Sequence, residues 1–330
     1  MAIQITILGL GRTGASIGLA LAQIKDQVRR VGNDREPQVA RKAEKMGAVD
    51  KIYYNLPSAV SESDAVIMAL PVDEIRETME IIAQDLKPGC VLIDTSPIKE
   101  SVMQWAKELL PGDDRYFIGM TPSLNPAYLM QSGESVEDAH SDLFKNGLLL
   151  ISSLPGVDES ALSLATQIAQ VMGANPLFSD AVEADGLTAS NLLLPRLVSA
   201  ALVNATIDQP GWRESRKLAG HVYAQVTDPA LYAEESKALG KAALLNPNNT
   251  VRMLDQFIYE LRDIRDAIEG QDAETLQERL EHAMQGRAEW WRQRLEANWE
   301  TKAGQNVPLP SGGEFFGRMF GIRPRKDKGK

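Results

Sequence analysis

The chain has 330 residues and a formal net charge of −10. That length is sufficient for two domains, each with its own core. The negative charge argues against a nucleic-acid partner, because binding to phosphates needs clustered Lys and Arg side chains. A single cysteine, Cys90, excludes an intrachain disulfide and a metal site made of cysteines. Because the sequence contains no run of about 18 uninterrupted apolar residues, it predicts a cytoplasmic protein with no membrane partner.

The N-terminal segment has the pattern of a strand, a glycine-rich turn and a helix. An apolar run leads into a Gly-x-Gly-x-x-Gly turn, and small residues continue as a predicted helix over residues 15–24. In such a turn the first glycine bends the chain, the second lets backbone N–H groups approach a pyrophosphate, and the third allows the helix to lie close to the strand. The pattern predicts a dinucleotide-binding turn whose cofactor-binding residues are Gly9, Leu10, Gly11, Arg12, Thr13 and Gly14.

An acidic residue follows the second predicted strand, which covers residues 27–33. Asp34 stands about 20 residues after Gly14, which is the spacing of the acid that binds the ribose hydroxyls in dinucleotide-binding folds. The same carboxylate would repel a 2′-phosphate, so the sequence favours NAD over NADP. Arg35 is included among the cofactor-binding residues, and it keeps NADP open as the alternative because an arginine there can hold a 2′-phosphate.

The rest of the first half alternates between predicted strands and helices with short connections. This pattern predicts an α/β fold with a Rossmann-type doubly wound parallel sheet. Pro71 ends a buried strand at its carboxyl edge, where such sheets bind ligands, so Leu70 and Pro71 are predicted to contact the cofactor. Further strands are predicted at residues 51–54, 65–70, 91–94, 116–118 and 148–152, and helices at 37–46, 56–63, 73–85, 99–110 and 158–172.

The pattern changes at about Glu183, where strand-like runs end and long helical periodicity begins. Helices are predicted at residues 187–205, 229–244, 250–269 and 272–301. Helices this apolar bury their faces against a partner subunit as well as against each other, so a homodimer through this helical domain is predicted. The predicted division is a dinucleotide-binding domain at 1–180, an all-helical substrate and dimerisation domain at 181–303, and a flexible basic tail at 304–330.

Several segments, up to about residue 250, resemble the prephenate and arogenate dehydrogenases of tyrosine biosynthesis. Residues 94–99 (Asp-Thr-Ser-Pro-Ile-Lys) are similar to that family's Asp-x-x-Ser-x-Lys segment, and residues 212–219 (Trp-Arg-Glu-Ser-Arg-Lys-Leu-Ala) to its Phe-Arg-Asp-x-x-Arg-Ile-Ala segment. The resemblance implies an oxidoreductase that transfers a hydride from a small carboxylate substrate to NAD. It also implies a cofactor contact at Ser96, although Pro97 occupies the strict register of the family's serine.

The sequence departs from the family where the proton is removed. The family's reaction passes the ring hydroxyl proton to a histidine in a Gly-x-His-Pro turn, while a hydride leaves the same carbon and the ring carboxylate is lost as CO₂. Residues 119–122 here read Gly-Met-Thr-Pro. Thr121 can hold a hydroxyl by a hydrogen bond, but it cannot take the proton at neutral pH without another base. The candidates for that base are His221, Lys99 and Asp185.

The resemblance also places the substrate carboxylate beside basic side chains of the helical domain. Arg213 is the first candidate because a guanidinium grips a carboxylate through two parallel hydrogen bonds. Lys217 and Arg196 are predicted to add charge nearby. The other two histidines, His140 and His282, are predicted to lie on the surface. Two alternatives remain open beside a prephenate-type dehydrogenase, namely a related dehydrogenase with a different small carboxylate substrate and a non-catalytic NAD-binding sensor or scaffold.

Overall fold

The computed structural model describes residues 3–112, 114–230 and 233–297, and its N-terminal part is built on one sheet. Eight strands form this sheet in the described part of the chain. In chain order they are β1 (Ile3–Leu8), β2 (Val28–Asn33), β3 (Lys51–Ile52), β4 (Ala65–Met68), β5 (Val91–Asp94), β6 (Tyr116–Pro122), β7 (Leu148–Ser153) and β8 (Asn175–Phe178).

The strand order across the sheet is β3-β2-β1-β4-β5-β6-β7-β8. Neighbouring strands run parallel except β6 and β7, which pair antiparallel with Met120 opposite Ile151. The order reverses between β1 and β4, so the crevice at the carboxyl ends of these two strands is the topological switch point of the sheet. Open α/β sheets bind their ligands at such a point.

Helices cover both faces of the sheet. Every residue of β1, β4 and β5 is consequently buried, as their near-continuous apolar sequences require. One core cluster joins the sheet to the helices that carry Ile17 and Ile168, and a second joins it to those that carry Ile75 and Val102. These helices are α1 (Arg12–Leu21), α2 (Pro37–Lys45), α3 (Leu56–Val60), α4 (Val72–Ile82), α5 (Glu100–Leu109) and α6 (Glu159–Val171).

Beyond β8 the described residues form helices and no further strand. The longest two, α12 and α13, pack against each other as an antiparallel pair joined at Gly270. In chain order the helices are α7 (Ala181–Thr188), α8 (Leu194–Ile207), α9 (Trp212–Ser215), α10 (His221–Thr227), α11 (Ala233–Leu245), α12 (Pro247–Glu269) and α13 (Ala273–Glu296).

The first two of these helices form one continuous helical run, Ala181–Ile207. A π-helical turn at Ala189–Leu193 joins them, and Pro195 follows it. Proline has no amide hydrogen to donate to the preceding helical turn, and the wider π-helical turn accommodates the loss of that backbone hydrogen bond. By length and composition the run is apolar enough to cross a membrane, and only 22% of its apolar window is buried within the chain. Most of its apolar surface is therefore not covered by the rest of the chain.

The structure confirms the α/β fold with a Rossmann-type sheet followed by an all-helical region. The prediction of a fully parallel sheet is wrong at β7, which is antiparallel to β6. The predicted strand 51–54 shortens to β3, since an edge strand pairs on one side only. The prediction lacks β8, because Asn175 and Pro176 interrupt its apolar pattern. The predicted tail at 304–330 lies outside the described residues.

Candidate active site

The glycine turn, from Gly9 to Gly14, connects β1 to α1 at the switch point of the sheet. Gly9 has a φ of +85°, which favours glycine, and a Cβ there would lie 2.4 Å from the Ala69 carbonyl oxygen. A Cβ on Gly14 would lie 1.9 Å from the Gly9 carbonyl oxygen. A Cβ on Gly11 would meet one atom within 4 Å, the Glu134 carbonyl oxygen at 3.5 Å. Packing therefore requires the first and third glycines, whereas the second glycine leaves space on the ligand side of the turn.

Asp34 lies at the end of β2, beside the glycine turn. Its Oδ2 accepts a hydrogen bond from the Leu10 amide at 2.7 Å, and its Oδ1 accepts one from the Glu36 amide at 2.8 Å. Each carboxylate oxygen retains lone pairs, so this fixed carboxylate can also accept bonds from two ribose hydroxyls. The neighbouring Arg35 is paired with Glu74 of α4. These residues fit the adenosine ribose of NAD.

The other predicted cofactor residues surround the same turn. Leu10 is fully buried in the core, so only its backbone can face a cofactor. Thr13 is half-buried in the first turn of α1. Leu70 packs beneath the glycine turn, and Pro71 is exposed at the start of α4. The glycine turn, the acid and the end of β4 are thus brought together as the sequence predicts.

The turn after β5 directs Ser96 into the protein. Its hydroxyl lies 2.8 Å from Asp94 Oδ2 and 3.1 Å from the Ile98 carbonyl oxygen, so its one hydrogen is shared between these two acceptors, and Ser96 is only 4% exposed. The Ser96 carbonyl oxygen accepts a hydrogen bond from the Thr121 hydroxyl at 2.9 Å. The hydroxyl of Ser96 is therefore used inside the turn, and its backbone amide also donates to Asp94, at Oδ1, at 3.1 Å.

Lys99 lies at the start of α5 and is fully buried. Its ammonium donates to Asp94 Oδ2 at 2.7 Å, to the Asp94 carbonyl at 3.2 Å and to the Ser96 carbonyl at 2.5 Å. An ammonium has three hydrogens and no lone pair, so these bonds occupy it completely. A Cβ on Gly119 of β6 would lie 2.6 Å from Lys99 Cδ, which explains the glycine there. Lys99 is bound as a cation that fixes the turn rather than poised as a base.

Asp185 of α7 connects the helical region to the sheet region. Its Oδ1 accepts from the Lys99 amide at 2.6 Å and its Oδ2 from the Glu100 amide at 3.2 Å, so this carboxylate caps α5. Burial raises the pKa of Asp185. The Asn246 side chain donates to the Asp185 carbonyl at 2.8 Å and ties the start of α12 to the same joint. Both carboxylate oxygens of Asp185 therefore serve the fold.

Thr121 is half-buried near the end of β6, opposite Leu150 of β7. Its hydroxyl hydrogen is directed to the Ser96 carbonyl, which leaves the oxygen lone pairs to accept a hydrogen bond. Arg294 of α13, a residue that the sequence analysis missed, donates to the Leu124 carbonyl just beyond this turn. It is 8% exposed, and burial lowers the pKa of Arg294. Most charged residues of α13 are exposed, so its sequence pattern gives no sign that Arg294 faces inward.

The predicted substrate-binding cations all lie in the helical region of the chain. Arg213 lies within α9 and Lys217 lies just after it. Both are exposed, and Lys217 is ion-paired with Glu214. His221 begins α10 and is also exposed, whereas Arg196 of α8 is half-buried. Within the described residues, no hydrogen bond or ion pair joins Arg213, Lys217 or His221 to the β6 turn.

The three histidines lie in different environments. His282 is exposed on α13, as predicted. The prediction that His140 lies on the surface is wrong, because His140 is half-buried and its ring stacks on Tyr128 with centroids 4.3 Å apart. Its backbone amide donates to the Ser16 hydroxyl of α1 at 3.0 Å. The loop after β6 thus packs onto α1, near the glycine turn.

Two family models match the chain in the same order as its two structural regions. The nucleotide-binding domain of prephenate dehydrogenase matches residues 17–176, and the dimerization domain of prephenate dehydrogenase matches residues 180–282. The first match begins after the glycine turn, so the assignment of that turn rests on its own geometry. The second match covers α7 to α12 and the first part of α13.

Individual relatives support the same family. A prephenate dehydrogenase of Bacillus subtilis is 28% identical over 276 residues, covering 82% of this chain and 72% of the relative. A cyclohexadienyl dehydrogenase of Zymomonas mobilis is 22% identical over 286 residues, covering 86% of this chain and 94% of the relative.

Solved structures show the same fold. Prephenate dehydrogenase from Aquifex aeolicus, crystallised with hydroxyphenyl propionate and NAD+, has a TM-score of 0.76 at 20% identity and covers 88% of this chain and 99% of its own. Synechocystis arogenate dehydrogenase has a TM-score of 0.68 at 20% identity, and the match covers 87% of this chain and 100% of that protein's chain. With the glycine turn, the acid after β2 and both domain matches in one chain, this protein belongs to the prephenate dehydrogenase family of NAD-dependent oxidoreductases.

Proposed function

We propose that the chain oxidises a small hydroxy-carboxylate of the prephenate or arogenate type with NAD. The observation that carries the proposal is the position of three features at one edge of the sheet. The glycine turn and Asp34 follow β1 and β2, and Thr121 lies near the carboxyl end of β6, so all three are at the edge where a dinucleotide and a substrate can meet. When bound, NAD supplies the acceptor for the hydride, and the chain's own residues hold the reactants and direct the proton.

The preference for NAD over NADP is part of this proposal. The Asp34 carboxylate, fixed by the Leu10 amide, would face a 2′-phosphate and repel it. Arg35 would have to leave Glu74 to offset that repulsion. Calorimetric titration with both cofactors tests the preference, and we expect NAD to bind more tightly. Equal or tighter binding of NADP would contradict the role given to Asp34.

The step that this chain is least equipped to catalyse is removal of the proton from the substrate hydroxyl. Thr121 can accept a hydrogen bond from the substrate hydroxyl, while Lys99 and Asp185 are occupied by structural bonds. His221 is the remaining candidate base of the sequence analysis, and it is exposed at the start of α10. Loss of a positioned base costs about 3–5 kcal/mol of barrier, or a factor of about 10²–10⁴. We therefore propose weak oxidation of prephenate.

The test follows NADH formation by the unmodified protein with prephenate and with arogenate. We expect turnover well below the ordinary range of about 1–1,000 per second. Turnover within that range would contradict the proposal, and loss of it in His221→Ala but not in His282→Ala would identify the base. No turnover with either acid, or with a panel of other hydroxy acids, would favour the second candidate function, an NAD-binding sensor or scaffold. Two observations support that candidate. Lys99 is buried and bonded to Asp94, and Thr121 stands at the position of the family's histidine.

For substrate binding we propose Arg213, Lys217 and Arg196 as the cations that face the carboxylate. Arg213 is the strongest choice because it can form a bidentate pair. Arg213→Gln is expected to raise the KM for the accepted acid about tenfold or more, while the exposed Arg262→Gln on α12 leaves it unchanged. An unchanged KM in Arg213→Gln would remove this residue from the substrate site.

We further propose a cytoplasmic homodimer that covers the exposed helical face. Leu218 and Val222 are 87% and 73% exposed in the single chain, and the helical run Ala181–Ile207 is largely uncovered. Both features suit a protein partner of the same kind. Light scattering is expected to give twice the chain mass of 36.2 kDa, and Leu218→Glu is expected to shift the protein to monomer. A monomer at micromolar concentration in the unmodified protein would contradict the proposal.

The domain division that we propose follows the end of the sheet. The dinucleotide-binding domain comprises residues 1–180 and the substrate and dimerisation domain residues 181–303, with a basic tail at 304–330. The division is supported by β8 ending at Phe178 and α7 beginning at Ala181. Limited proteolysis followed by mass spectrometry tests it, and we expect early cleavage within the tail. Early cleavage inside the sheet region would contradict the division.

A further inference from the structure

A short segment of the loop after β6 lies across the glycine turn. We call residues 131–135 the strap. The Glu134 carbonyl oxygen accepts a hydrogen bond from the Arg12 amide at 3.1 Å. The same oxygen lies 3.5 Å from the position of a Cβ on Gly11. The Arg12 amide is at the N-terminus of α1, where the motif directs backbone N–H groups toward a pyrophosphate. A neutral carbonyl of the strap thus stands where a dinucleotide's phosphate oxygen would bind.

The side chain of Arg12 is held under the same strap and is only partly satisfied. It is 3% exposed, and its Nη1 donates to the Gln131 carbonyl at 3.2 Å and to the Gly133 carbonyl at 2.9 Å. Its Nε and Nη2 are buried and have no hydrogen-bond acceptor among the described residues. The nearest carboxylate, that of Glu134, is 4.0 Å from Nη1 and is itself largely exposed. A buried guanidinium with unused donors is costly unless an anion completes it.

We infer that Arg12 is a side-chain ligand for the dinucleotide's diphosphate, and that the strap occupies this diphosphate position until the dinucleotide displaces it. The inference rests on the dinucleotide binding proposed above. Nε and Nη2 form the planar edge of the guanidinium that can grip two phosphate oxygens. A diphosphate carries two negative charges, so it forms charge-assisted bonds with this edge and with the free amides of α1, whereas the strap offers neutral carbonyls.

The strap lies at the surface of the protein. Gln131, Ser132, Glu134 and Ser135 are exposed. At its far end the strap is held by Asp138, whose Oδ2 accepts from the Ser135 amide at 3.0 Å and from the Ser135 hydroxyl at 2.5 Å. Few apolar contacts are lost when such a segment moves, and segments of this kind open at low free-energy cost.

Arg12 is tested with ADP-ribose, which carries the diphosphate but no nicotinamide. In Arg12→Gln the dissociation constant for ADP-ribose is expected to rise about tenfold or more, and in Arg12→Lys by less, because the charge remains but the fork is lost. Arg29→Gln removes an exposed arginine of β2 and serves as the matched control with unchanged affinity. If Arg12 only held the strap, Arg12→Gln would free the turn and tighten ADP-ribose binding. Unchanged or tighter binding overturns the inference.

The strap is tested with Arg12 left intact. Asp138→Ala removes the far anchor, and we expect the association rate of NADH, followed by stopped-flow fluorescence, to rise severalfold. In the unmodified protein, ADP-ribose is expected to speed hydrogen exchange in the peptide that covers the strap. An unchanged association rate together with unchanged exchange overturns the displacement. If the unmodified protein binds neither ADP-ribose nor NADH, the proposed function fails and the inference fails with it. If it binds them and Arg12→Gln binds equally well, only the inference fails.

Discussion

The nucleotide side of the molecule, residues 3–178, and its helical side, residues 181–297, are built in different ways. On the nucleotide side, Gly9 and Gly14 allow backbone segments to touch, and Asp34 is fixed by main-chain amides. On the helical side, Arg213 and His221 lie in solvent beside Leu218, which is 87% exposed. One chain therefore completes the nucleotide side by its own backbone geometry. The helical side leaves these side chains in solvent, where we propose that a partner subunit and a substrate contact them.

The two sides meet at a joint that is fully buried. Asp185 of the helical side caps α5, while Lys99 at the start of α5 holds Asp94. These bonds connect α7 of the helical side to α5 and the end of β5 on the nucleotide side. Substitutions that break the close backbone contacts of the nucleotide side or the buried joint should therefore be costly in stability, and substitutions of exposed residues on the helical side should cost little.

The largest effect is expected from breaking the buried ion pair. Lys99→Met removes the cation and leaves the Asp94 carboxylate buried without it, where both side chains are 0% exposed. Removing one partner of a buried pair costs about 3–5 kcal/mol of unfolding free energy. Urea unfolding measures the loss, and Lys107→Met on the exposed face of α5 is the control. Addition of Asp94→Asn is expected to restore part of the stability. A loss below about 1 kcal/mol would mean that the joint does not depend on this pair.

Gly14→Ala tests how tightly the nucleotide side is packed. The added Cβ would lie 1.9 Å from the Gly9 carbonyl oxygen, so the turn must shift. Overpacking of this kind costs typically about 1–3 kcal/mol, and a contact with backbone belongs at the upper end. Gly240→Ala, on α11, has nothing within 4 Å and is expected to be neutral or stabilising. Thermal unfolding of the two variants compares the two sides directly, and equal midpoints would contradict the difference in packing.

The sequence predicted the nucleotide side well because its signals are local. Glycine spacing, strand periodicity and the acid after β2 each depend on neighbouring residues. The functions of Ser96 and Lys99 were harder to predict, since their partners are decided by the tight turn after β5. Arg294 and the stacked His140 depend on contacts between segments far apart in the chain. No local pattern records such contacts, so these residues could not be placed from the sequence.

Gly11→Ala separates ligand binding from folding on the nucleotide side. Its Cβ would lie 3.5 Å from the Glu134 carbonyl oxygen, which is an ordinary contact, so the thermal midpoint should barely change. The methyl group would enter the path of the pyrophosphate, and NAD affinity is expected to fall about tenfold or more, equivalent to about 1.4 kcal/mol. Calorimetry measures the affinity, with Gly240→Ala as control. Unchanged affinity would contradict the assignment of the glycine turn.

Asp50→Asn tests a partly exposed ion pair between β2 and β3, and its effect should depend on pH. Burial acts to raise the pKa of Asp50, but hydrogen bonds from the Arg30 side chain and amide outweigh it and leave the pKa below its ordinary value. A lowered pKa in the folded state adds stability above the ordinary carboxyl pKa, and this stability is lost as the pH falls through the lowered value. Solvent screening limits the effect to about 1 kcal/mol. Unfolding at neutral and acidic pH should show a deficit only at neutral pH, and an equal deficit at both would contradict the ionic origin.

The smallest effect is expected on the helical side, at Arg279 of α13. Its guanidinium bonds Glu260 Oε2 at 2.9 Å and also pairs with Asp263, both on α12. The two carboxylates are about half exposed, at 54% and 47% of their side-chain surface, so water and salt compete for the same charges. Arg279→Gln is expected to cost under about 1 kcal/mol in low salt and less in high salt. A loss near that of Lys99→Met would show that surface pairs, rather than a partner subunit, hold this side together.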